Sequence, residues 1–138
     1  MVHLYCGDGK GKTTAAMGLA LRALGSGRSV VIVQFLKGGQ SGEIPLLDSL
    51  GARIFRGKAG TKFSFQMSEE EKAETLALQT ENLRHALSCE ASLLVLDEAC
   101  SAWQTGLVDR ALLQKAVLER PDGQEVVLTG RNPPEWLW

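Results

Sequence analysis

The segment Cys6-Gly7-Asp8-Gly9-Lys10-Gly11-Lys12-Thr13-Thr14 alternates glycine with charged residues and ends in two hydroxyls, directly before an apolar stretch. Glycines at 7, 9 and 11 let successive backbone N–H groups turn toward one centre. Lys12 adds a point charge there, and the Thr13 hydroxyl is a hard oxygen ligand suited to Mg²⁺. The chemistry this suits is the holding of a polyphosphate, with Asp8, Lys10 and Thr14 in the same loop. The pattern GxxxxGK[ST] asks for glycine at position 6, where this chain has Cys6, and the other three glycines make up the deficit. A ligand-free glycine turn is the bland reading, but a Lys-Thr-Thr helix start in apolar sequence has little structural purpose. Lys10 is either a second phosphate cation or a solvated loop lysine.

A second cluster lies at Leu93-Leu94-Val95-Leu96-Asp97-Glu98, an apolar run ending in two carboxylates. Carboxylates at such a strand end complete the shell of a phosphate-bound metal, as in a Walker B segment. Thr13, Asp97 and Glu98 are therefore the candidate metal ligands, and spacing does not choose which acid touches the ion directly. The competing reading makes Asp97 a helix N-cap. Arg22, nine residues after Thr13, and Arg131, after Leu128-Thr129-Gly130, are either phosphate contacts or partners in ordinary salt bridges.

These residues need a scaffold that brings loop and strand end together, and the hydropathy pattern supplies one. Short runs of Val, Ile and Leu alternate with segments of helical period, which predicts a parallel sheet covered by helices. The expected strands are Val2 to Cys6, Val30 to Phe35, Ala52 to Arg56, Leu93 to Asp97 and Glu125 to Thr129. Thr13 to Leu24 reads as a helix apolar nearly all round, hence largely buried, and stopped by Gly25. Ser68 and Glu71 form a capping box for a second helix, in which Ala73, Leu76, Ala77, Thr80, Leu83 and Leu87 recur to about Ser88. The glycine-rich connections Gly38 to Gly42 and Gly57 to Gly60 follow strand ends, the edge where ligands bind in open α/β sheets.

The bulk properties narrow the class. The chain has 138 residues, 44% of them apolar, enough for a single domain with its own core. A net charge of −1 with no Lys/Arg stripe argues against nucleic acid as a partner. No apolar run approaches the roughly 20 residues of a membrane span, and a strand stands where a signal peptide would, so a cytoplasmic protein is expected. Cys6, Cys89 and Cys100 never fall as CxxC and are expected to be reduced and mostly buried. His3 and His85 lack ligand spacing and read as structural.

Taken together, GDGKGKTTAA at 7 to 16, VQFLKG at 33 to 38, VLDE at 95 to 98 and VVLTGRNPPEWL at 126 to 137 resemble one family, the ATP:cob(I)alamin or corrinoid adenosyltransferases. The resemblance runs in register across essentially the whole chain, and four joint motifs are far more specific than a phosphate loop alone. It implies a single P-loop NTPase-like α/β domain over 1–138, its predominantly parallel sheet covered by helices on both faces. It also implies transfer of the 5′-deoxyadenosyl group of ATP, with Mg²⁺ or Mn²⁺, to the reduced cobalt of cobalamin or cob(I)yrinic acid a,c-diamide, releasing triphosphate. Lys12, Thr13 and Glu98 then become catalytic, and the nucleotide lies in reversed polarity with C5′ toward the corrin. Phe63 and Phe65 match an aromatic pair that packs at the corrin's lower face and displaces the axial base. Phe65 stands where a Trp is familiar, and two core aromatics of one strand are the competing reading. Lys37 is either a substrate contact or solvated. A flavoprotein reductase as electron donor and a homodimer are further implications.

Relative to that family the chain is short at both ends. The first strand begins at Val2, and after Asn132, expected to cap a helix with Pro133 in its first turn, the sequence stops at Trp138. Trp136 and Trp138 would then need neighbours from elsewhere, while Trp103 is expected in the core. A generic P-loop ATPase or kinase, with Glu98 orienting water or a hydroxyl, and an ATP-binding module without catalysis remain the alternatives.

Overall fold

A computed structural model of the chain describes residues 1–7, 11–35, 42–57 and 66–138. Within them β1 (Val2–Cys6), β2 (Val30–Gln34), β3 (Arg53–Arg56), β4 (Leu93–Asp97) and β5 (Glu125–Gly130) form one sheet in the order β1-β5-β4-β2-β3. Every pairing is parallel. The fold is the α/β class that the alternation of short apolar runs and helical periods predicts. The strand boundaries shift by a residue at three ends: β2 stops at Gln34, although the Phe35 N–H still donates to the Asp97 carbonyl at 2.9 Å.

The helices are α1 (Lys12–Gly25), α2 (Glu43–Ser49), α3 (Glu69–Ser88), α4 (Ala99–Thr105) and α5 (Arg110–Leu118). From β1 through β2 to β3 the chain steps one way across the sheet, and from β3 through β4 to β5 it steps back. Right-handed crossovers therefore put the helices of the two halves on opposite faces. The core divides accordingly. Ala16, Met17 and Ala20 of α1 and Ile44 and Leu47 of α2 pack on Val30, Ile32, Val95 and Val127. On the other face Leu83, Ala102 and Leu113 of α3, α4 and α5 pack on Val31, Val33, Leu94, Leu96 and Leu128. The central strands β2, β4 and β5 thus bury both faces through alternate residues, β2 and β4 along their whole length, whereas the edge strands β1 and β3 are only partly covered.

Four expectations need correction. First, α1 is not buried all round: Ala16, Met17, Ala20 and Ala23 face inward, while Leu21 is 48% exposed, because only one side of α1 meets the sheet and α2. Second, the apolar row of α3 is covered only in part. The capping box of Ser68 and Glu71 forms as read. Asn82 Nδ2, however, donates to the Arg56 carbonyl at 3.0 Å, which levels residue 82 with the end of β3. The earlier turns run past that strand with no sheet beneath them, so Ala73, Leu76 and Ala77 stay exposed along a groove of about 580 Å³ opposite Gly106 to Arg110. Third, Asn132 caps no helix. It lies at φ 49°, its carbonyl accepts from Gln104 Nε2 at 2.6 Å, and a single 3-10 turn, Glu135–Leu137, follows Pro134. Fourth, Trp136 finds its neighbour within the chain: its ring meets that of Trp103 edge-on, centroids 5.2 Å apart. Trp103 is consequently half-buried at the margin of the core rather than inside it.

Among the cysteines only Cys100 is buried; Cys89 is half-buried and Cys6 exposed, and all three are free. No helix among the described residues is long and apolar enough to cross a membrane.

Candidate nucleotide and metal site

Parallel strands present all their carboxyl ends at one edge, and here Cys6, Gln34, Arg56, Asp97 and Gly130 arrive there together. Gly7 opens the phosphate loop directly after β1, and Gly11 closes it at φ 99°, a left-handed conformation that a side chain would strain, as the cap of α1. No side chain caps that helix start and no acid occupies its first turn, which instead carries Lys12, Thr13 and Thr14. A cation at the positive end of a helix is unfavourable by about 0.3–1 kcal/mol unless an anion offsets it. A polyphosphate bound at this helix start would offset that cost.

Loop and strand meet at Thr13, whose hydroxyl donates to Asp97 Oδ1 at 2.9 Å across 84 residues of sequence. Asp97 is fully buried and accepts two further bonds, from the Thr129 hydroxyl to Oδ1 at 2.7 Å and from Gln34 Nε2 to Oδ2 at 3.1 Å. Three donors compensate the cost of burying a carboxylate and fix the plane of the group. Asp97 is not an N-cap. Glu98 holds that position, at φ 62° and without a side-chain cap bond. Its N–H donates to Thr129 Oγ1 at 2.9 Å, and its carboxylate accepts from Ser101 Oγ at 3.2 Å. Thr129 therefore pins both acids with one hydroxyl.

The arrangement fits a hard divalent ion. A hydroxyl has one proton and two lone pairs, so Thr13 can donate to Asp97 and still offer oxygen to a cation. Among the described residues no cluster of three or more His, Cys, Asp or Glu exists. Mg²⁺ takes one or two protein ligands and fills its octahedron with phosphate and water, a demand that Thr13 and Asp97 can meet.

Not every expected residue joins this cluster. Arg22 sits in the last turn of α1, ten residues and about 15 Å of helix rise from Lys12, so the fold does not bring it to the carboxylates. Arg131 stands one residue beyond β5, at the right edge of the sheet and exposed. Asp8, Gly9, Lys10, Lys37, Phe63 and Phe65 lie outside the described residues. Gln34 and Thr129 lie inside the stretches 33 to 38 and 126 to 137 but carry no assigned role there, and Ser101 lies in no motif. The available signal was a polar residue ending an otherwise apolar strand, as in Val30–Gln34 and at Thr129.

Comparison with known proteins gives the family. The family model for the ATP:corrinoid adenosyltransferases BtuR/CobO/CobP matches residues 1–138. The chain belongs to this family. Corrinoid adenosyltransferase CobA of Salmonella typhimurium is 33% identical over 133 residues, 96% of this chain and 68% of that protein. The Escherichia coli corrinoid adenosyltransferase gives the same figures, and that of Pseudomonas aeruginosa is 30% identical over 132 residues, 94% of this chain and 65% of its own length. The chain thus spans about two thirds of these relatives. As a corrinoid adenosyltransferase it is an enzyme of a family whose cosubstrate is ATP and whose acceptor is a corrinoid.

Proposed function

We propose that this chain transfers the 5′-deoxyadenosyl group of ATP to the Co(I) of a corrinoid, cobalamin or cob(I)yrinic acid a,c-diamide, and releases triphosphate. The observation that carries the reading is the Thr13–Asp97 bond, which joins the phosphate loop to the acidic strand end at the carboxyl edge of the sheet. In the reaction the cobalt lone pair attacks C5′, the Co–C bond forms, and the C5′–O5′ bond breaks with its electron pair leaving on triphosphate. Gly7, Asp8, Gly9, Lys10, Gly11 and Thr14 bind the triphosphate through loop amides and side chains, and Lys12 and Arg131 add charge. Thr13 and Asp97 hold Mg²⁺ or Mn²⁺, with Glu98 nearby, and that ion when bound neutralises charge building on the leaving group. Phe63 and Phe65 form an apolar floor that keeps the axial base and water from cobalt. Residues 1–138 form one P-loop domain that works in the cytoplasm, paired as a homodimer and supplied with electrons by a flavoprotein reductase.

Phosphoryl transfer needs a group that positions water or a hydroxyl at phosphorus. Glu98 is the candidate for that work, with one carboxylate oxygen accepting from Ser101 Oγ at 3.2 Å, and product analysis separates the two chemistries. The test is an anaerobic assay with ATP, Mg²⁺ and chemically reduced cobalamin. Adenosylated corrinoid with stoichiometric triphosphate supports the proposal. ADP and orthophosphate would establish a hydrolase or kinase, and tight ATP binding without turnover an ATP-binding module.

A further inference from the structure

Three strands end side by side at the metal edge, and their last residues form a chain of hydrogen bonds that the phosphate-loop motifs do not include. Gln34, the end of β2, pairs in register with Asp97 of β4 on one side and Arg56 of β3 on the other. Its Nε2 donates to Asp97 Oδ2 at 3.1 Å, and its Oε1 accepts from Arg56 Nε at 2.7 Å. The Arg56 carbonyl is in turn held by Asn82 of α3 at 3.0 Å.

We propose that Gln34 and Arg56 are positioning residues for the metal–nucleotide site, acting on the ion through Asp97. An amide can donate to a carboxylate through its nitrogen while it accepts from a guanidinium through its oxygen, so one side chain bridges the two. Gln34 is only 1% exposed, at the end of a strand otherwise made of Val and Ile. Burying an amide there costs free energy unless both ends are bonded, so packing alone would favour another apolar residue. Arg56 decides which way the amide faces. Were that guanidinium absent, Gln34 could rotate and set Oε1 against Asp97 Oδ2, acceptor against acceptor. With Arg56 in place Oδ2 is engaged by Nε2, and Oδ1 remains with Thr13 and Thr129. Arg56 thereby orients the carboxylate that orients the Thr13 hydroxyl, two bonds removed from the cation. This inference rests on the proposed Mg²⁺–ATP site.

The experiment is a calorimetric titration of ATP into the chain at stepped Mg²⁺ concentrations and again in EDTA. For Arg56→Met the Mg²⁺ concentration giving half-maximal tightening should rise by about tenfold, as is common when an outer partner of a ligand is lost. Binding of ATP in EDTA should stay as in the wild type. Arg56→Lys, which keeps a donor without the fixed fork, should recover part of the loss, and Gln34→Leu should match Arg56→Met. Gln34 is buried and its variant is open to misfolding; Arg56, half-buried on the edge strand, carries the test alone in that event. An unchanged Mg²⁺ midpoint in Arg56→Met, or equal weakening with and without Mg²⁺, overturns the positioning role while leaving the site intact. A wild-type chain whose ATP affinity ignores Mg²⁺ overturns both the role and the site reading beneath it.

Discussion

Thr129 joins the two acids of the site, giving its proton to Asp97 and taking that of the Glu98 N–H. Thr129→Val keeps the branched shape but leaves the Glu98 N–H without that acceptor, a loss of about 1–3 kcal/mol. Separately, adenosyl transfer should fall about tenfold, a barrier change of about 1.4 kcal/mol, because Asp97 and Glu98 lose their common anchor. Steady-state rates with chemically reduced cobalamin check this, and a wild-type rate would detach Thr129 from the site. Lys12→Ala should abolish detectable transfer, because the ammonium and the loop amides hold the departing triphosphate together. Near-normal turnover of that variant would remove Lys12 from the mechanism. Thr13, Asp97 and Glu98 were legible because their chemistry is written in contiguous motifs. Gln34, Arg56 and Thr129 were not, because what they touch is fixed by the register between strands 22 to 63 residues apart. Arg22 shows the converse: its type suits phosphate, but helix rise carries it to the far end of α1.

At the scale of elements, α4 owes its position to the end of β5. Gly130 has φ 145°, and a Cβ there would lie 2.6 Å from Cys100 Cβ and 3.1 Å from the Cys100 backbone N. Neither neighbour is the free end of a flexible chain, so the helix backbone itself must yield. Gly130→Ala is expected to destabilise the fold by roughly 1–3 kcal/mol. It should also reduce Mg²⁺-dependent ATP binding, because Glu98 begins the displaced helix. Urea denaturation measures the first effect, and an unshifted midpoint would mean that α4 adjusts freely. Cys100 itself is driven up to a pKa of about 11, chiefly by burial, with Cys6 and Glu98 nearby adding to the rise. It therefore remains a neutral thiol near pH 7. The strands were readable from apolar runs, whereas α2, seven residues long, is too short for a period to declare itself. The misjudged faces of α1 and α3 have one physical origin. Periodicity says which residues are apolar, but how far the sheet extends beneath them decides which are covered.

For the molecule as a whole, helix and strand alternation revealed the class, while the order β1-β5-β4-β2-β3 was beyond periodicity, which carries no information on which strands are neighbours. The end of the sheet opposite the site is clasped by Glu125. Its carboxylate meets His3 Nε2 at 3.1 Å and Arg28 at 3.0 Å, so the start of β5 is tied to β1 and to the approach to β2. The hydrogen bond with His3 lowers the Glu125 pKa most, partial burial opposes it, and Arg28 adds to the lowering. A lowered folded value means that the clasp contributes in full above the unfolded glutamate pKa of about 4.3 and is lost as pH falls through the lower folded value. Wild type should therefore exceed Glu125→Gln in stability by a constant margin near neutrality, and that margin should shrink below about pH 4. Parallel stability profiles for the two proteins down to strong acid would dismiss the clasp. The sheet order also sets a timetable for synthesis. β1 is made before the other described strands, yet among the described residues its strand neighbour is β5, with Val2 paired to Val126 far along the sequence. A contact of such long range is costly to close and late to form. The phosphate loop that hangs from β1 must therefore wait for β5, and a nascent chain acquires its grip on ATP only once that strand has been made.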